Sequence, residues 1–194
     1  MKVLMLQLLK TLIVAVLVLM VAPPTALAHC DTMDGPVVKA AQQAVRTRNI
    51  NFVLIWVQQK DEVEVRQAFQ QTIIVRRLSR EARELADRFF FETIVRLHRA
   101  GEGQPYTGLK PAGTDLGPVI PVADRAIDNN AIEPLLKLFP DIQRQEIISR
   151  FDEVIASKNF GTNDVVAGRQ YVSAYTSFLE YIEQLYERTS ATHD

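Results

Sequence analysis

The residues with the most evident chemistry lie close together in one short stretch of the chain. His29 and Cys30 are adjacent, and Asp31 and Asp34 follow within the next four positions. An imidazole suits nickel and copper, a thiolate is a soft and strongly bound ligand, and carboxylates add hard oxygen donors. Cys30 is the only cysteine in 194 residues, which excludes an internal disulfide and a multi-cysteine zinc cluster.

The segment before these residues has the layout of a secretory signal peptide. Residues 1–28 contain two lysines, no acidic residue, an eleven-residue apolar run, two prolines and then Ala26-Leu27-Ala28. The small residues at −3 and −1 predict cleavage after Ala28, and therefore a periplasmic or secreted protein. The alternatives are an uncleaved membrane anchor and a lipoprotein modified at Cys30. Once the leader is removed, no membrane association is expected.

Cleavage after Ala28 would make His29 the first residue of the exported chain. Its free α-amine and its imidazole would then chelate one metal ion, with the Cys30 thiolate and backbone nitrogen beside them. This set of donors suits Ni(II) or Cu(II), and Asp34 is a further candidate ligand within reach. Binding would displace protons from the amine and the thiol, so affinity should rise with pH. The alternative is an exposed thiol without a metal, or one that pairs between chains.

The start of that exported chain, HCDTMDG, resembles the hook of nickel superoxide dismutase, which opens H-C-D-x-x-C-G. The resemblance implies that His29 supplies its amine and imidazole, and Cys30 its thiolate and backbone nitrogen. Asp31 and Gly35 match in place, whereas Asp34 stands where the family has a second cysteine. The resemblance covers seven residues and implies a mononuclear nickel site with superoxide dismutase activity. We refer to residues 29–35 as the hook.

The whole chain also resembles an uncharacterised family of exported bacterial helical proteins that share the start HCDTMDGPVV. Beyond the hook, the apolar residues recur with the 3.6-residue period of helices. Residues 101–118 hold five glycines and three prolines, so they form the one extended loop. We therefore expect an all-α, compact helical bundle in which residues 29–194 form a single domain. The patterns predict helices over 36–46, 49–57, 61–78, 79–100 (capped by Ser79) and 163–188.

The two halves of the domain resemble each other in sequence. A shift of about 82 residues aligns positions 35–78 with 117–160 and gives ten identities over 44 positions, as an internal repeat would. This similarity predicts two tandem duplicated four-helix units, residues 29–100 and 119–194, joined by the loop at 101–118. The alternative is convergence of two amphipathic patterns. The same shift places Pro111 and Ala112 opposite the two metal-binding candidates, so the hook has no counterpart in the second half.

His98, near the end of the helix predicted over 79–100, is the remaining candidate metal ligand. Its imidazole would complete the site if the N-terminus folds back over this helix end, and the alternative is a partly buried histidine interacting with the helix dipole. The balance of 22 basic and 23 acidic residues argues against nucleic-acid binding. Three functions are open: a nickel or copper oxidoreductase resembling superoxide dismutase, a non-catalytic metal-handling protein, and a helical interaction module without metal. The sequence predicts no particular oligomeric state.

Overall fold

The computed structural model describes residues 29–190, and the predicted signal peptide lies outside them. This part of the chain contains eight α-helices and no strand beyond one isolated bridge, so the fold is all-α. None of the described helices is long and apolar enough to cross a membrane. The first half contains α1 (Pro36–Thr47), α2 (Asn51–Leu54), α3 (Glu62–Val75) and α4 (Arg80–Gly101). The second half contains α5 (Val119–Asn129), α6 (Glu133–Leu136), α7 (Arg144–Ser157) and α8 (Val165–Ser190).

Local sequence signals explain where the helices that carry the site begin and end. α1 starts at Pro36, whose fixed φ angle and missing N–H are tolerated in the first turn. α4 starts after Ser79, whose hydroxyl accepts a hydrogen bond from the Ala82 amide at 3.1 Å, which confirms the predicted cap. α4 ends at Gly101, and the chain then turns through Gly103 with φ of +70°.

The second helix is shorter than the predicted 49–57, since α2 spans only Asn51–Leu54. Its N-cap residue is Ile50, which makes no side-chain cap, and the preceding Asn49 side chain accepts a hydrogen bond from the Asn51 amide at 3.0 Å. After α2 the chain turns, and the Trp56 ring then lies edge-on to two rings, at 5.6 Å from His98 and 6.0 Å from Tyr175. The early end of the helix therefore allows one tryptophan to contact α4 and α8 together.

The two halves repeat the same order of elements at nearly constant spacing. α6 and α7 begin at the positions that the sequence alignment pairs with the first residues of α2 and α3, and a 3₁₀ turn at 59–61 recurs at 141–143. α1 and α5 both end at a residue in the left-handed conformation, Arg48 with φ of 58° and Asn130 with φ of 51°. The alignment pairs these two residues as well. The spacing agrees with the sequence similarity, while the duplication itself stays a prediction.

The halves meet where α8 crosses the connection between α2 and α3. A Cβ atom at Gly168 would lie 2.3 Å from Cγ2 of Ile55, so a glycine is needed for α8 to approach this closely. The next residue, Arg169, donates hydrogen bonds to the Val57 carbonyl at 3.0 Å and to the Glu62 carboxylate at 2.7 Å. The two halves are therefore joined here by the packing of the Ile55 side chain against the backbone of α8 and by the hydrogen bonds of Arg169.

Candidate functional site

The hook is a tight turn in which two carbonyl groups accept hydrogen bonds from later residues of the same turn. The His29 carbonyl accepts hydrogen bonds from the amide and the hydroxyl of Thr32, at 3.4 Å and 3.1 Å, and the Gly35 amide donates to the Thr32 carbonyl at 2.9 Å. A Cβ atom at Gly35 would lie only 2.1 Å from the His29 carbonyl oxygen. The glycine that matches the nickel hook in sequence is therefore required here by the close approach of two backbone segments.

The loop at 101–118 runs alongside the hook and is hydrogen-bonded to it. The Lys110 amide donates to the Asp31 carbonyl at 2.9 Å, and the Met33 amide donates to the Lys110 carbonyl at 3.0 Å, which forms the isolated parallel bridge. The Asp34 carboxylate accepts a hydrogen bond from the Gly113 amide at 3.0 Å. That bond lowers the pKa of Asp34, whose side chain is exposed. Asp34 therefore connects the hook to the loop.

The His29 side chain is buried, and the second half of the molecule orients it. Its Nε2 lies 2.8 Å from Oδ2 of Asp124 on α5, and the Tyr175 hydroxyl on α8 donates to Oδ1 of the same carboxylate at 2.7 Å. Its Nδ1 is buried and has no hydrogen-bond partner within the described residues. A neutral imidazole that donates from Nε2 to a carboxylate carries its free lone pair on Nδ1. In its neutral form, His29 presents an unused electron-pair donor inside the protein.

Cys30 is a free cysteine with only 6% of its surface exposed. Burial raises the pKa of its thiol well above the ordinary value, the carboxylates of Glu102 and Asp31 raise it further, and Arg99 opposes them. At neutral pH the thiol therefore carries its proton. A ligand that needs the thiolate must displace this proton and compensate for the buried negative charge.

A buried group of charges surrounds the thiol at the end of α4. The Arg99 Nε lies 3.4 Å from Oδ1 of Asp31, and its Nη1 donates to the Glu102 carboxylate at 3.2 Å. Burial raises the pKa of Asp31 to about 6, even though Arg99 and Lys110 pull it down. One arginine thus links the hook to the helix end and partly balances two carboxylates.

His98 lies in the same region but has partners of its own. Its Nδ1 is 2.9 Å from the Trp56 carbonyl oxygen, and its Nε2 is 3.3 Å from Oε1 of Glu102. Burial lowers the pKa of His98, so the ring is neutral at pH 7. His98 is therefore a buried, hydrogen-bonded ring near a helix C-terminus, but it lacks the positive charge that an interaction with the helix dipole would need.

A cavity of about 220 Å³ opens beside the thiol. It has room for a few water molecules or a small ligand. The Tyr175 side chain reaches it as well, so the hydroxyl that holds Asp124 borders the same space. The polar lining residues are Cys30, Arg99, Glu102, Gln104, Tyr175, Thr176 and Glu180.

The structure places the four predicted metal ligands in different surroundings. His29 and Cys30 are buried neighbours, Asp34 is engaged with the loop, and His98 is engaged with Trp56 and Glu102. Within residues 29–190 no group of three or more His, Cys, Asp or Glu side chains is arranged to hold a metal ion. A site on the hook would thus depend on main-chain donors as well as side chains.

Sequence reasoning missed three of the groups that surround the hook. Asp124 is far from His29 along the chain, in the other half of the domain, and no local spacing indicates that the two side chains meet. The pairing of Arg99 with Glu102 could have been predicted, because the two opposite charges lie three residues apart at a helix end, directly after His98. Tyr175, also distant in sequence, is buried with its hydroxyl on Asp124.

Comparison with known proteins identifies a family but no activity. A family model described as a family of unknown function, DUF6448, matches residues 34–181. The match covers about three quarters of the chain and begins at Asp34, five residues after His29. No curated protein and no solved structure matches the chain.

Proposed function

The chain belongs to DUF6448, a family of unknown function, and we propose from the residues of its hook that it is an exported metalloprotein. The proposed site holds one nickel or copper ion at the N-terminus created by cleavage after Ala28. Its ligands are the α-amine and imidazole of His29 and the thiolate and backbone nitrogen of Cys30. The metal would supply one-electron redox chemistry of the kind that superoxide dismutation requires.

The observation that carries this proposal is the state of the His29 ring. Its Nε2 faces Asp124 while Nδ1 is buried without a hydrogen-bond partner in the described chain. Histidines that bind metals commonly donate their other ring nitrogen to a carboxylate, which fixes the ring and increases its basicity. A buried polar atom without a partner is costly, and a metal ion bound through Nδ1 and the adjacent α-amine would remove that cost.

The proposal gives the two remaining candidate ligands supporting roles. Asp34 anchors the loop over the hook through Gly113, and His98 lies buried beside Glu102, whose carboxylate holds Arg99. Arg99 would balance part of the negative charge that two ionised groups, the Cys30 thiolate and Asp31, place in a buried site.

A second candidate function is non-catalytic metal handling by the same ligands. The cavity beside Cys30 is bordered by two carboxylates, Glu102 and Glu180, while its one cation among the described residues, Arg99, already contacts Asp31 and Glu102. Such a lining attracts a cation more readily than an anionic substrate. Metal uptake and delivery would then be the role of the site, without turnover.

The first experiment establishes the N-terminus and the metal together. The protein is purified from an exporting host, its intact mass is measured, and its bound metal is quantified. We expect a chain that starts at His29 and holds about one equivalent of nickel or copper. A different first residue, or reduced Cys30 without any metal, would contradict both functions and favour a helical interaction module. Superoxide turnover no faster than that of a free metal–peptide chelate would leave only metal handling.

A serine placed between Ala28 and His29 tests the main-chain donor. The exported chain would then begin with serine, so the amine and the His29 imidazole would no longer belong to one residue. We expect metal binding to be abolished while the helical circular dichroism spectrum is unchanged. Retention of the metal would mean that the His29 amine is not a ligand.

Replacement of Asp124 by asparagine tests the orientation of the His29 ring. Loss of a carboxylate that holds a metal-binding histidine usually lowers metal affinity by about 10- to 100-fold. Asp128→Asn is the matched control, since Asp128 lies one turn later on α5 and is exposed. Competition with a chelator measures both affinities. Equal affinities in the two variants would show that Asp124 has no part in the site.

A further inference from the structure

The turn between α3 and α4 exposes apolar side chains far from the hook in sequence. Ile74, Leu78 and Leu85 have 66%, 74% and 72% of their surfaces exposed. They belong to residues 74–85, which we call the hairpin tip, where two antiparallel helices are joined by four residues. Several large exposed apolar side chains in one short segment mark a surface that contacts something.

The same segment of a near-neutral chain is basic. The hairpin tip contains four arginines and two glutamates, whereas the full sequence has a net charge of −1. Arg76 pairs with Asp87, and Arg80 lies 3.6 Å from Glu84. The exposed Arg77 and Arg83 have no carboxylate within salt-bridge distance among residues 29–190.

In the equivalent turn of the second half, the counterparts of Leu78 and Arg76 contact other parts of the chain. Phe160, which the sequence alignment pairs with Leu78, packs against Tyr171 with ring centroids 5.7 Å apart. Lys158, equivalent to Arg76, donates a hydrogen bond to the Asp128 carbonyl at 3.2 Å. Of these two turns, only the one in the first half presents both apolar groups and cations that lack a carboxylate partner in the described chain.

We propose that the hairpin tip docks on an anionic phospholipid surface. Leu78 and Leu85 enter the boundary between headgroups and acyl chains, while Arg77 and Arg83 contact lipid phosphates. The charge of the tip is complementary to that of the lipid, and exposed apolar side chains beside arginines are typical of a segment that lies in the interface of an anionic membrane. The proposal departs from the sequence-based expectation of no membrane association after leader removal, because folding is what brings Leu85 beside the turn. The docking is independent of the metal centre.

A tryptophan placed at the tip reports directly on this contact. Trp56 is the only native tryptophan and is buried, so it contributes a constant background. We expect the added fluorescence of Leu85→Trp to shift to the blue with phosphatidylglycerol vesicles and to stay unchanged with phosphatidylcholine vesicles. Ile142→Trp is the matched control, since Ile142 is 92% exposed and lies away from the tip in sequence, and its emission should not shift.

Removal of the two arginines without carboxylate partners provides the second measurement. In the Leu85→Trp background, Arg77→Gln with Arg83→Gln should weaken vesicle binding about tenfold or more, and added salt should weaken it too. Arg125→Gln, an exposed arginine on α5, should leave binding unchanged. Circular dichroism checks that each variant is folded. No shift at position 85, equal shifts at 85 and 142, or a shift caused by protein concentration alone would overturn the proposal. The last result would mean that a second copy of the chain covers the tip.

Discussion

The segments that precede α1 and α5 occupy matching positions in the two halves, yet their chemistry differs. Residues 111–113 are the counterparts of residues 29–31 in the alignment, and the loop that contains them is hydrogen-bonded to the hook through Lys110 and Gly113. The first segment carries a histidine and a cysteine, where the second has proline and alanine. The second half contributes instead through Asp124 and Tyr175. The helices of both halves thus form the scaffold, and the hook contacts both of them, through Asp124 in the second half and Arg99 in the first.

The glycine that begins each aligned half illustrates the same contrast. Gly35 has an ordinary φ of −76°, and it is required because the His29 carbonyl is so close. Gly117, its counterpart in the second half, has φ of +71° and open space where its Cβ would be. One position in the alignment therefore needs glycine for two unrelated reasons, close packing in the hook and a left-handed turn in the loop.

The largest expected effect is the pH dependence that Asp31 gives to the hook. Burial raises its pKa from 3.8 to about 6 in the folded chain, so the folded state binds the proton more tightly than the unfolded state. Its contribution to stability is therefore complete below pH 3.8 and is lost as the pH rises through 6. We expect the metal-free protein to lose about 2 to 3 kcal/mol relative to Asp31→Asn between pH 4 and pH 7. Denaturant unfolding at a series of pH values measures this difference.

Asp34→Asn is the control for that series, because the shift at Asp34 has the opposite sign. Hydrogen bonding lowers the pKa of Asp34 in the folded chain, so its contribution is present above pH 3.8 and is lost as the pH falls. The wild-type protein should therefore gain stability relative to Asp34→Asn as the pH rises, by a small amount because the group is exposed. If the stability of the wild-type protein relative to the variant changed with pH in the same direction for Asp31→Asn and Asp34→Asn, the contrast between the two carboxylates would be contradicted.

The next largest effect compares the two equivalent glycines. A methyl group at Gly35 meets a backbone oxygen that no side-chain rotation can move away, so Gly35→Ala should cost about 2 kcal/mol and displace the hook. Gly117→Ala meets no atom and should cost about 1 kcal/mol through its positive φ alone. Chemical denaturation measures both costs. Metal affinity should fall only in Gly35→Ala, and equal affinities would show that the hook tolerates the displacement.

The sequence predicted the scaffold well because its signals are local. Helical periodicity, the Ser79 cap and the glycine-rich loop each depend on residues a few positions apart, and they gave the all-α fold and the ends of α1, α4 and α8 to within two residues. The hook was found because its donors are adjacent. The contact of His29 with Asp124 was not predictable, since it depends on how the two halves of the domain pack together. The early end of α2 was not predictable for the same reason. It accompanies the packing of Trp56 against His98 and Tyr175, which are distant in sequence.

The smallest expected effect tests how closely the halves correspond outside the site. α1 and α5 both end in the left-handed conformation, but the residue is Arg48 in one and Asn130 in the other. Asparagine adopts this conformation more readily than arginine, whose Cβ is strained there. Arg48→Asn should therefore stabilise the protein by about 0.5 kcal/mol, and Asn130→Arg should destabilise it by a similar amount. Both changes lie away from the hook, so metal affinity should be the same in the two variants. Thermal unfolding measures the pair, and changes of the same sign would mean that the two helix ends are not equivalent despite their matching angles.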